Sequence, residues 1–251
     1  MEALPLDSRI RQVYPDNLFL NGMHPTVRSR RVKVVLIHGI STPGITWKEI
    51  APYLAEKGLR VLVYDLYGKG YSEAPHVVYN TTLFVVQLAL LLQYIHWDSA
   101  HIVGFSMGGG VAAAFASSMP HLLTGKVAFV ASAGLLERAN APNPLKDLQA
   151  TELPGYKRSL QSCFENGPIR GLEAAYDEVA RVTVGPAQQP LQVRIIHGTE
   201  DEIVPFGEAI KIQARVPQAE IVKIENAAHD LVLRDGHWQI VAKRLLEFLQ
   251  T

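Results

Sequence analysis

Val103-Gly104-Phe105-Ser106-Met107-Gly108-Gly109-Gly110 joins a short apolar run (Ala100, Ile102, Val103) to an alanine-rich one (Val111 to Ala116). The first run reads as a strand and the second as a helix, so Ser106 stands at a strand-to-helix turn. In Gly104-x-Ser106-x-Gly108, glycines flank one hydroxyl two positions away on each side. A turn that sharp strains the backbone of its central residue, and a side chain at either flanking position would collide with the neighbouring chain. The strain lifts the serine oxygen out over the sheet, and the start of the helix sets the Met107 N–H beside it.

Strands and helices alternate on both sides of this turn. Val32 to Ile37 is a continuous β-branched run without polar alternation, as expected of a strand covered on both faces. A helix is expected from Thr46 to Lys57, stopped by Gly58, and a second buried strand over Arg60 to Tyr64. Leu83 to Ile95, broken by Gln87 and Gln93, reads as a buried helix too short to span a bilayer. Lys126 to Ala131, Leu191 to His197 and Glu220 to Ile224 read as strands, and His237 to Leu249 as an amphipathic helix. Ile10 to Val13 and Asn17 to Asn21, split by Pro15-Asp16, read as a short antiparallel pair. Such alternation predicts an α/β fold with a mostly parallel sheet flanked by helices, whose ligands sit at the carboxyl ends of the strands.

One segment breaks the pattern. More than fifty residues between Gly134 and Leu191 show no convincing strand; they hold six prolines and a helical pattern over Ile169 to Val182. A structureless loop of that length is improbable inside a compact domain. The expected division is a core of residues 1–134 and 190–251 with a helical cap at 135–189.

Composition excludes several classes. The 251 residues are 48% hydrophobic, enough for a full core, and carry 24 basic and 24 acidic side chains. A net charge of zero leaves no basic field for nucleic acid. Met1 to Val13 carries four charges and no apolar centre, so no signal peptide is expected there, nor an integral membrane segment elsewhere. The one cysteine, Cys163, rules out an internal disulfide and fits a reducing, cytoplasmic setting. No His/Cys/Glu spacing points to a metal and no glycine-rich loop is placed to cradle a nucleotide, so neither metal nor cofactor is expected.

A serine hydroxyl is a weak nucleophile at neutral pH and needs a base, and the base needs an orienting group. The loop after the strand ending at His197-Gly198 carries Asp201; the loop after the last strand carries Ala228-His229. Ser106, Asp201 and His229 therefore stand at the ends of three different strands on one sheet edge, in the chain order of nucleophile-elbow hydrolases. After the first strand, His38-Gly39-Ile40-Ser41 turns at the same edge, where the Ile40 N–H can join that of Met107 as a pair of oxyanion donors. Ile40, Phe105, Met107 and Val204 surround this point with apolar surface. Other residues have plainer readings. Asp65 is read as a brace for its loop and as the reserve acid if Asp201 is displaced. His38 is read as a structural hydrogen-bonder, His197 and His237 as structural or exposed, and His101 as ordinary. Glu200 and Glu202 are read as solvated, Cys163 as a packing residue, and Trp47 as either a pocket-mouth residue or a helix anchor.

His38-Gly39, Asp65-x-x-Gly68-x-Gly70-x-Ser72, Gly104-Phe105-Ser106-Met107-Gly108, Gly198-x-x-Asp201-x-x-Val204-Pro205 and Ala228-His229 together resemble the α/β-hydrolase fold superfamily. The similarity runs from about Arg31 to Leu249 and is greatest to single-domain members with a cap after the sixth strand; the cap matches only in position. The resemblance implies an eight-stranded, mostly parallel sheet, with Ser106 as nucleophile, His229 as base, Asp201 as orienting acid and Ile40 and Met107 as oxyanion donors. It implies substrate contacts at Gly39, Ile40, Ser41, Phe105 and Val204, and a small carboxylic ester as substrate, acted on by a monomer or homodimer. Carbon–carbon bond cleavage in a diketone, peroxide chemistry, or a receptor with little turnover are the other activities this fold would allow. Family members usually have glycine where Ala228 precedes the histidine.

Overall fold

Six runs rich in Val, Ile, Leu and Ala form one sheet with helices on both faces; the central strands are apolar on both faces, while the edge strand Glu220–Ile224 is half-exposed. A computed structural model describes residues 32–137 and 145–250. The strands are β1 (Lys33–Ile37), β2 (Arg60–Val63), β3 (Ala100–Phe105), β4 (Leu123–Val130), β7 (Gln192–Gly198) and β8 (Glu220–Ile224), in the order β2-β1-β3-β4-β7-β8 and parallel throughout. Between β4 and β7 lie the two-residue strands β5 (Thr183–Val184) and β6 (Gln189–Pro190), which pair antiparallel with each other. The helices are α1 (Ile50–Glu56), α2 (Thr81–Tyr94), α3 (Met107–Ser118), α4 (Leu145–Glu152), α5 (Tyr156–Asn166), α6 (Glu173–Val179), α7 (Gly207–Arg215) and α8 (His237–Gln250).

The main sheet thus has six strands among the described residues where eight were expected; the antiparallel pair expected at 10–13 and 17–21 lies outside them. β4 begins at Leu123 rather than at Lys126. Its register against β3 jumps from Ala100↔Leu123 to Ile102↔Val127, a bulge at Gly125, whose φ of 147° suits glycine. The helix expected over 46–57 is two pieces, a 3-10 turn at Gly44–Trp47 and then α1. Pro52 explains the break: it sits in the first turn of α1, where its missing N–H is harmless, and would clash with Lys48 in one continuous helix. Among its described residues the 135–190 stretch holds three helices and the β5–β6 ribbon, whereas the 3.6-residue pattern disclosed only the helix near α6.

Two buried clusters lie on opposite sheet faces. One gathers α2, α3, α6 and α7 against Val35, Ile37, Ile102, Phe129 and Ile195; the other gathers α1 and α8 against Val34, Leu36, Val103, Val130 and Ile196. α2 is anchored by Asn80, whose side chain accepts the Leu83 N–H at 3.0 Å, an N-cap. Read as a buried helix, α2 packs Phe84, Val85, Leu88 and Leu92 into the core and turns Val86, Leu90 and Tyr94 outward at four-residue intervals, because only one of its faces meets the sheet. No helix among the described residues is long and apolar enough to cross a membrane.

Candidate active site

Ser106 takes φ 55° and ψ −122° at the junction of β3 and α3. Three backbone bonds fix this strained residue: its N–H donates to Val130 O at 3.0 Å, and its carbonyl accepts from Gly109 N at 2.9 Å and Ala133 N at 3.0 Å. The flanking glycines are required by close approach. A Cβ on Gly104 would run into the Gly108 carbonyl, and one on Gly108 into the Ile37 and His38 carbonyls. The first turn of α3 therefore rests on the end of β1, which brings the Met107 amide, unpartnered within its own helix, to the 38–41 turn. That turn meets the serine directly, since a Cβ on Gly39 would lie 3.1 Å from Ser106 Cβ.

His229 and Asp201 arrive from the loops after β8 and β7. His229 Nε2 lies 3.0 Å from Ser106 Oγ and its Nδ1 2.7 Å from Asp201 Oδ2. A carboxylate only accepts, so Nδ1 carries the imidazole proton and Nε2 is left to accept the serine O–H. Asp201 is held in turn: its Oδ1 accepts Ile203 N at 2.9 Å and Val204 N at 2.8 Å, and its side chain is fully buried. The Phe105 ring lies beside the imidazole, with centroids 5.0 Å apart, and Trp47 meets Phe105 edge-on at 6.2 Å. Trp47 is fully buried, which decides for the anchor over the pocket-mouth reading.

Of the remaining sequence-derived residues, Gly39, Ser41, Phe105 and Val204 are buried and Ile40 is half-buried. Asp65 accepts Gly44 N at 2.6 Å on Oδ1 and Tyr71 N at 2.8 Å on Oδ2, while its carbonyl accepts Ser72 Oγ at 2.5 Å; it is a brace and stands apart from the His229 imidazole. Glu200 and Glu202 are exposed, and Cys163 is buried and forms no disulfide. No group of three or more His, Cys, Asp or Glu among the described residues is arranged to hold a metal.

His197, read as structural or exposed, proves structural: its Nε2 donates to Val204 O at 2.8 Å and lies 3.7 Å from Asp201 Oδ2, so it steadies the loop that carries the acid. Burial, the dominant effect, holds its imidazole below the usual pKa. Lys69 is 1% exposed and donates from Nζ to Ser159 Oγ on α5 at 2.8 Å, with the Tyr156 ring 5.2 Å away. Neither partner is near Lys69 in sequence, so no local pattern could have found it.

Known proteins support the same reading of the fold. The family model for the alpha/beta hydrolase fold matches residues 33–161, just over half of the chain. A 2-hydroxymuconate semialdehyde hydrolase from Pseudomonas sp. (strain CF600) is 28% identical over 231 residues, covering 78% of this chain and 80% of its own length. A pimeloyl-[acyl-carrier protein] methyl ester esterase from Aeromonas hydrophila is 25% identical, covering 78% of this chain and 87% of its own length. The solved meta-cleavage product hydrolase of Pseudomonas fluorescens IP01 shares the fold with a TM-score of 0.71 at 19% identity, over 86% of this chain and 90% of that one. The chain belongs to the alpha/beta hydrolase fold family.

Proposed function

We propose that the protein is a serine hydrolase that cleaves small carboxylic esters through an acyl-enzyme on Ser106. The observation that carries this reading is the pair of hydrogen bonds in line, Ser106 Oγ to His229 Nε2 at 3.0 Å and His229 Nδ1 to Asp201 at 2.7 Å. Ser106 Oγ attacks the ester carbonyl while His229 Nε2 takes its proton. The carbonyl oxygen becomes an oxyanion facing the Ile40 and Met107 amides, and each donor of this kind contributes about 3 kcal/mol to transition-state stabilisation. The imidazolium protonates the departing alcohol. Water then attacks the acyl group, gives its proton to His229, and the acid leaves. Asp201 keeps the imidazole in the tautomer this sequence needs. Gly39, Ile40, Ser41, Phe105 and Val204 form the wall on the acyl side, and residues 135–189 form a helical cap over it. A small-molecule ester is the partner this site fits.

Carbon–carbon bond hydrolysis on the same triad is the second reading, favoured by relatives of this chain named as 2-hydroxymuconate semialdehyde and 2-hydroxy-6-oxo-2,4-heptadienoate hydrolases. The deciding experiment assays p-nitrophenyl acetate and butyrate beside a vinylogous diketone, on wild type and Ser106→Ala. Ester turnover far above diketone turnover, abolished in Ser106→Ala, is the expected result; the reverse ranking exchanges the two readings. Wild type that neither turns over nor labels with a fluorophosphonate is a receptor. Asp201→Asn lowers kcat by about 10⁴-fold, because the imidazole loses its required tautomer; a mutant with most of its activity shows that the acid lies elsewhere.

A further inference from the structure

The proposed oxyanion donor Ile40 N–H belongs to the Gly39–Ile40 peptide, and a peptide after glycine is easily turned over, since glycine opposes few backbone conformations. Something must hold it. Its carbonyl, Gly39 O, lies 2.7 Å from His38 Nδ1. His38 is fully buried, and its other ring nitrogen, Nε2, accepts the Leu66 N–H at 2.8 Å. A backbone N–H only donates, so Nε2 carries no proton; the neutral ring is then protonated at Nδ1, and Nδ1–H donates to Gly39 O. Asp65 Oδ1 stands 3.9 Å from Nε2, beyond hydrogen-bond reach, and its oxygens are taken up by the Gly44 and Tyr71 amides. The ring's other backbone partners are Gly39 and Thr42, and the Leu66 amide facing Nε2 leaves no place there for a proton. The peptide is trans, so its C=O and N–H point in opposite directions, and fixing the carbonyl toward His38 aims the Ile40 N–H away from it.

Resting on the serine-hydrolase reading above, we infer that His38 is a positioning residue: clamped in one tautomer by the Leu66 amide, it holds the Gly39 carbonyl and so aims the Ile40 N–H at the oxyanion. It touches no substrate. Its effect belongs to the transition state, where charge appears on the carbonyl oxygen, and not to ground-state binding.

The two amide side chains separate the ring nitrogens. Asn places an N–H where Nδ1 is, and Gln places an amide oxygen where Nε2 is. His38→Gln keeps an acceptor for Leu66 but loses the donor to Gly39 O; His38→Asn keeps that donor. On a p-nitrophenyl ester, His38→Gln is expected to lower kcat by about 10- to 100-fold with KM little changed, short of the loss of a whole oxyanion donor. Its affinity for a trifluoromethyl ketone, which forms a tetrahedral adduct with its oxygen in the same hole, falls by the same factor. His38→Asn recovers most of both. Equal losses in the two variants, or a His38→Gln enzyme with wild-type kcat, overturn the inference. So does ¹⁵N NMR of the wild-type protein if it finds the His38 proton on Nε2, a test independent of whether the variants fold. Ser106→Ala keeps the two ideas apart: a Ser106→Ala protein that still hydrolyses the ester defeats the serine mechanism. An inactive Ser106→Ala beside an unimpaired His38→Gln defeats this inference alone.

Discussion

Ser106 holds a positive φ that a residue with a Cβ adopts only under constraint, at a cost of about 1–3 kcal/mol. The surrounding backbone carries that cost through the bonds to Val130, Gly109 and Ala133 and through the absence of side chains at 104 and 108. Gly104→Ala sets a methyl group against the Gly108 carbonyl, and backbone cannot move aside as a flexible side chain does. Its expected effect is a loss of 4 kcal/mol or more, roughly the upper end for a point substitution, or failure to fold. A urea midpoint equal to wild type would show that the turn relaxes. His38 illustrates how far a residue-scale reading extends: His38-Gly39 is visible as a dipeptide, but the proton position that gives the histidine a task depends on Leu66, twenty-eight residues on.

At the scale of elements, the loop from Asp65 to Ser72 is tied at both ends. Asp65 binds it to Gly44 and Tyr71, and Lys69 binds it to α5, where Ser159 Oγ also donates to Gly68 O at 2.8 Å. Lys69 is a buried cation whose recorded partners are a hydroxyl, aromatic faces and the Cys163 thiol, with no carboxylate. Burial is the leading effect and lowers its pKa. Met matches the volume of Lys and carries no charge to desolvate, so Lys69→Met is expected to leave stability at pH 7 unchanged or to raise it by about 1 kcal/mol. The unfolded chain holds the Lys69 proton more tightly than the fold does, so wild-type stability gains as pH rises toward the free-lysine value. Lys69→Met loses that gain. Chemical denaturation of both proteins at pH 7 and at pH 9.5 checks the sign, and a large destabilisation of Lys69→Met at pH 7 would show that the ammonium itself holds α5 in place.

For the whole molecule, an all-parallel sheet sets every strand's carboxyl end on one edge, and this is why residues from the ends of β3, β7 and β8 can meet at hydrogen-bond distance. The same burial that builds the core sets its acid limit. His101, in β3, is 6% exposed and its pKa is lowered to about 4, chiefly by desolvation and then by Lys126. His38 and His197 are lowered in the same direction. The unfolded chain takes up these protons near the ordinary imidazole value and the fold resists them, so stability is intact above pH 6.5 and falls as pH drops toward 4. His101 alone accounts for a loss on the order of 3 kcal/mol between pH 7 and pH 4. Urea midpoints across that range should decline steadily and decline less in His101→Gln; parallel curves for the two proteins would exonerate His101.

The sequence by itself determined the architecture and the triad candidates, because both are written in local patterns: unbroken apolar runs for covered strands, glycines around Ser106, and polar loops just past the strand ends. It could not show that three helices lie among the described residues of the 135–190 stretch, that α2 leaves one face outward, or that His38 and Lys69 are buried with hydrogen-bond partners on distant segments. Those facts depend on which residues meet across tens of positions, and only the packed chain brings them together. Proton positions are the extreme case, since a ring nitrogen's state is set by whichever amide or carboxylate the fold lays against it.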